Sequence, residues 1–98
     1  MTRDEVLKKL RNERAALRRF AVSRLAVFGS AARGEMRAGS DVDILVEFEP
    51  GSRIGLFEFV RLQRHLSEVL GAQVDLVTSE ALRPEFREKI LQELVDAA

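Results

Sequence analysis

Residues 25–46 read Leu-Ala-Val-Phe-Gly-Ser-Ala-Ala-Arg-Gly-Glu-Met-Arg-Ala-Gly-Ser-Asp-Val-Asp-Ile-Leu-Val. An apolar run meets a Gly-Ser turn, and an arginine follows. A second Gly-Ser then leads into an apolar run that holds Asp41 and Asp43. Carboxylates in an otherwise apolar strand are costly unless a cation sits between them. Residues i and i+2 of a strand share a face. Asp41 and Asp43 therefore lie side by side, the arrangement that holds a divalent cation. A Gly-Ser turn entering a helix suits a phosphate. Metal beside phosphate points to nucleotide chemistry.

The rest of the chain supplies the elements around this stretch. Thr2-x-x-Glu5 reads as a capping box opening a helix. Val6, Leu7, Leu10 and Leu17 give that helix an apolar stripe, interrupted by Arg14, and it is expected to end near Arg19. Val22 to Phe28 reads as a strand, broken by Gly29-Ser30. Ser30 to Met36 reads as a short helix, and Val42 to Phe48 as a second strand. Residues 55–70 form a long helix with Gly71 placed to end it. Gln73 to Thr78 reads as a third strand. Pro84 opens a final helix, with Phe86, Ile90, Leu91, Leu94 and Val95 as its buried side. The alternation predicts a small α/β fold of about three strands flanked by helices.

Length and composition narrow the chemistry. Ninety-eight residues predict one domain, spanning 1–98. No apolar run approaches the ~20 residues of a membrane span, and Met1 to Glu5 carries no apolar signal core. A cytoplasmic protein without a membrane partner is expected. The chain has no cysteine and a single histidine, His65. Thiolate and His-rich metal sites are therefore excluded, and an oxygen-bound magnesium or manganese is favoured. His65 is expected to be exposed and inert, and the phenylalanines to be core. The zero net charge conceals an asymmetry. Residues 1–40 hold 10 Lys/Arg against 4 Asp/Glu, and residues 41–98 hold 6 against 12. A basic N-terminal half suits phosphates, RNA or an acidic partner. It also suits a plain solvated helix face.

Gly29-Ser30-x-x-Arg33-Gly34 followed by Ser40-Asp41-x-Asp43 resembles the signature of the polymerase-beta-type nucleotidyltransferase superfamily. The short length resembles its minimal (MNT, MntA-like) domains, commonly antitoxin partners of helical HEPN ribonuclease toxins. The resemblance implies a mixed sheet in which the two acidic strands are neighbours. It implies ATP as substrate and magnesium as cofactor, with two ions. It also implies transfer of AMP to an acceptor hydroxyl, a tyrosine of the HEPN toxin.

Candidate site residues follow from both readings. Asp41 and Asp43 would bridge metal ions, which in two-metal sites lie ~4 Å apart. Asp75, alone among Gln73-Val74-Leu76-Val77, is the third acid. The resemblance implies that it ligates metal and helps deprotonate the acceptor. Gly29 allows close backbone approach, and Ser30 offers a hydroxyl and freed N–H groups to phosphate oxygens. Arg33 is a candidate phosphate clamp through its planar fork. Ser40 is a further phosphate candidate, though serine is also good loop chemistry just before a strand. Gly34 is expected to relieve crowding at a helix end. Three alternatives share this motif: nucleotide addition to an RNA 3′ end, a non-catalytic toxin-binding module and antibiotic modification. The last usually needs an added acceptor domain.

Overall fold

The structure, a computed structural model, describes residues 1–97. Thr2 opens helix α1 (Arg3–Arg11) with the expected capping box: Thr2 Oγ1 accepts from the Glu5 amide at 3.2 Å, and Glu5 Oε1 accepts from the Thr2 amide at 3.4 Å. The single helix expected to reach Arg19 is instead broken at Asn12–Glu13, and α2 spans Arg14–Arg19. An unbroken stripe would point Arg14 towards the core beside Leu10. The break re-phases the chain, so that Ala16 and Leu17 are buried and Arg14 is exposed. It also turns Glu13 inward, where Oε1 stands 2.6 Å from His65 Nε2. His65 is thus half-buried and partnered, with its ring 6.4 Å from that of Phe20, not exposed and inert as expected.

Strands β1 (Val22–Phe28) and β2 (Val42–Phe48) keep the expected bounds. Between them α3 (Gly29–Ala32) is shorter than the expected Ser30–Met36. Gly34, at φ +72°, turns the chain out of the helix. Helix α4 (Leu56–Leu70) ends on Gly71 at φ +64°, and β3 covers Val74–Thr78. A 3₁₀ turn at Ser79–Ala81 leads to α5 (Pro84–Glu93). The sheet has four strands, in the order β3-β2-β1-β4. The extra strand, β4 (Val95–Asp96), occupies what reads in sequence as the end of the last helix. Its pairing satisfies the free edge of β1: Val95 pairs with Val27, Asp96 with Ala26, and the Ala97 amide donates to the Leu25 carbonyl at 2.8 Å.

Strand β1 is antiparallel to β2 and to β4, whereas β2 and β3 are parallel. Alternation along the strands divides the sheet into two faces. Leu25, Val27, Val42, Ile44, Val46, Val74 and Leu76 pack into one core with Val6 and Leu10 of α1 and Leu62 and Leu66 of α4. Asp43 and Asp75 belong to the opposite face. Helix α5 departs from expectation, since none of its residues is buried. Phe86 is 53% exposed and Leu91 42%. Phe57 on α4 is 81% exposed, so two of the six phenylalanines lie outside the core.

Candidate active site

The site forms where β1 ends and β2 begins. Asp41 stands just before β2 and is exposed; Asp43 is the second residue of β2 and half-buried. Asp75 is its direct partner across the parallel ladder. In-register parallel partners stand about 4.8 Å apart and point the same way. The two strands therefore hold two carboxylates side by side, with the third two residues upstream. The neighbouring acidic strands implied by the family resemblance are present as a pairing.

The electrostatics identify Asp43 as the centre of the group. Burial pushes its carboxyl above the ordinary aspartate value. The charges of Asp75 and Asp41 push it the same way, and the Arg33 charge opposes them. The backbone opposite is shaped to this carboxylate. Gly29 follows Phe28, the β1 residue paired with Asp43. Its φ is +67°, and a Cβ on it would collide with Asp43 Oδ2. Glycine is required there on two independent grounds, conformation and space. Ser30 comes next, half-buried in the first turn of α3.

Two candidates are placed differently. Arg33, at the C-terminal end of α3, is exposed but not free: Nε lies 3.1 Å from Glu35 and Nη1 3.2 Å from Glu93 of α5. Among the described residues its Nη2 has no hydrogen-bond partner, and its charge is within electrostatic reach of Asp43. Ser40 closes its own loop, with Oγ accepting from the Arg37 amide at 3.1 Å and the Ser40 amide donating to the Arg37 carbonyl at 3.0 Å. Glu35 and Glu93 were not singled out by the sequence. A carboxylate two residues from Arg33 carries a weak local signal; one sixty residues away carries none.

A divalent cation suits this donor set. Three carboxylates share one patch, and among the described residues none of the three is in an ion pair. Oxygen-only donors match magnesium. Among the described residues no three acid or histidine side chains are gathered closely enough to hold a metal ion by themselves, so a bound nucleotide's phosphate oxygens would have to supply further ligands.

Residues 7–97 match the nucleotidyltransferase domain family. The chain belongs to that family. It is accordingly a nucleotidyltransferase, and all seven candidate residues fall within the matched span. Protein adenylyltransferase MntA of Thermococcus cleftensis is 40% identical over 97% of this chain and 95% of its own length. A solved structure provisionally described as a minimal nucleotidyltransferase superposes with a TM-score of 0.81 at 37% identity, covering 97% of this chain and 95% of that one. The fold also matches a chain in the complex of a tri-AMPylated Shewanella oneidensis HEPN toxin with its MNT antitoxin. There the TM-score is 0.64 at 18% identity, over 94% of this nucleotidyltransferase and 71% of that chain.

Proposed function

We propose that this nucleotidyltransferase moves AMP from ATP onto a tyrosine hydroxyl of a HEPN-type toxin, and thereby acts as an antitoxin. The observation that carries the reading is the in-register pair Asp43–Asp75 set against Gly29, with Asp41 alongside. In the transfer, the acceptor oxygen bonds to the α-phosphorus, the bond from that phosphorus to the bridging oxygen breaks, and pyrophosphate leaves. Magnesium, bound by Asp41, Asp43 and Asp75 and present as two ions, would neutralise charge on the phosphates and the acceptor oxygen. Asp75 takes the hydroxyl proton, being an exposed carboxylate beside the half-buried Asp43. Gly29 and Ser30 let backbone and hydroxyl approach the phosphates, and the free edge of Arg33 holds a further phosphate oxygen. Catalysis on this scheme is positioning plus charge neutralisation.

The relatives' names support a protein acceptor, and composition says where a tyrosine acceptor would lie. The chain contains no tyrosine, so a tyrosine acceptor must belong to another protein. α-Labelled ATP with magnesium, added to the chain together with its co-purified helical partner, should label the partner and not this chain. Asp43→Asn should abolish the label. Label on RNA alone would favour 3′-end addition. Silencing of the partner without label, surviving Asp43→Asn, would leave only a binding module.

A further inference from the structure

Residues 8–19 carry six cations and one acid. The acid, Glu13, is turned inward onto His65. Arg11 donates to the Asp96 carbonyl at 3.4 Å. Lys8, Lys9, Arg14, Arg18 and Arg19 are exposed, and none forms an ion pair among the described residues. An ordinary solvated helix alternates its signs, as α5 does with Glu85, Arg87, Glu88 and Lys89. Residues 8–19 do not. It also has a recess: a cleft of about 360 Å³ lined by Arg14, Leu17, Arg18, Val22 and Ser23. Arg14 and Arg18 are one helical turn apart, about 6 Å between side-chain bases. Guanidinium forks so spaced can engage successive phosphates, with Ser23 offering a hydroxyl and Leu17 and Val22 an apolar floor. This cleft lies at the Val22 end of β1, about 20 Å along the strand from Gly29 and the three aspartates. A bound strand there would not compete with substrate.

We propose that the α2–β1 cleft is a second site, separate from the acidic one, that binds the phosphate backbone of a single-stranded polynucleotide. Unpaired, one-signed cations concentrate such a polyanion, and the cleft gives it a fixed register.

A fluorescein-labelled 20-mer of uridylate, titrated by anisotropy against the full chain in EDTA without ATP, tests this. At about 50 mM salt the oligomer should bind at micromolar concentration. Arg14→Gln/Arg18→Gln should bind roughly tenfold more weakly, and the slope of log affinity against log salt should flatten by about 1.4. Asp43→Asn should bind as wild type does, and circular dichroism should show the double variant folded. Single substitutions of Arg14 and Arg18 provide the readout if the double variant is not. No binding at low salt would overturn the proposal, as would an unchanged affinity in folded Arg variants. Displacement by polyglutamate as effective as by polyuridylate would reassign the cleft to an acidic protein. Complete displacement by ATP at stoichiometric concentration would reassign it to free nucleotide.

Discussion

Two left-handed residues bracket β1, Ala21 at φ +56° before it and Gly29 at φ +67° after it. The conformational demand is the same at both ends, and the residues that meet it differ. At Gly29 a side chain would strike the Asp43 carboxylate, so conformation and the site both require glycine. At Ala21 the backbone only turns out of α2: its amide donates to the Arg18 carbonyl at 3.0 Å, and its carbonyl accepts from the Glu49 amide at 2.7 Å. Alanine is tolerated there at a cost of about 1–2 kcal/mol. The acidic end of β1 is built to place atoms. The basic end is built to present charge, through the exposed guanidinium groups of Arg14 and Arg18.

The largest expected effect is at Asp43. Asp43→Asn should reduce AMP transfer by at least about 10²–10³-fold, the scale of losing one charge-stabilising group. The same variant should be more stable than wild type in metal-free buffer at neutral pH. The sign follows from the raised carboxyl: the native state holds this proton more tightly than the unfolded chain. The charged carboxylate therefore destabilises the fold above its native value. Wild type should gain stability as pH falls through that value towards the ordinary 3.8, and its deficit against Asp43→Asn should close there. Urea melts of both proteins across pH in EDTA check this. A wild type more stable than the variant at pH 7 would mean that the three acids do not repel as placed.

Next in size is Gly29→Ala. Strain at positive φ should cost about 1–2 kcal/mol. The Asp43 carboxylate can swing aside, which spares the fold and misplaces a ligand. Transfer should therefore fall roughly 10²-fold while circular dichroism stays native. Retained activity would show that the carboxylate works from its displaced position and that the close approach is incidental.

How much of this could be read from the chain depends on range. The Asp-x-Asp strand and the Gly-Ser turn are local patterns, and β1, β2, α4 and Gly71 follow from periodicity and caps. The Asp43–Asp75 pairing is a matter of register between strands about thirty residues apart, and only the family resemblance implied it. β4 was hidden because Leu94 and Val95 continue the helical spacing of Ile90 and Leu91; the open edge of β1 overrides that spacing. The break at Asn12–Glu13 was foreshadowed by Arg14 in the apolar stripe, but its inward partner, His65, is 52 residues away. The Glu93 carboxylate on Arg33 is out of local reach for the same reason, being 60 residues distant. Hydrophobicity also misled at Phe57 and Phe86, whose helical positions alone suggest a burial that the packing does not provide.

The smallest expected effect lies at the other end of β1. Ala21 is the residue after Phe20, the C-cap of α2, the position where helices most often carry a left-handed glycine. Glycine there removes the clash of Cβ with its own backbone but adds freedom to the unfolded chain, so the two contributions oppose. At positive φ the native-state gain is the larger. Ala21→Gly should stabilise the protein by about 0.5–1 kcal/mol, a Tm rise of roughly 2–8 °C. Both backbone hydrogen bonds of Ala21 are kept, and the aspartates are about 20 Å away along β1. AMP transfer should therefore be unchanged. Thermal melts of Ala21→Gly and Gly29→Ala, run side by side with transfer assays, set the two ends directly against each other. A lower Tm for Ala21→Gly would mean that the alanine side chain contributes packing that outweighs its strain. The contrast between an end fixed by its site and an end fixed only by its turn would then fail.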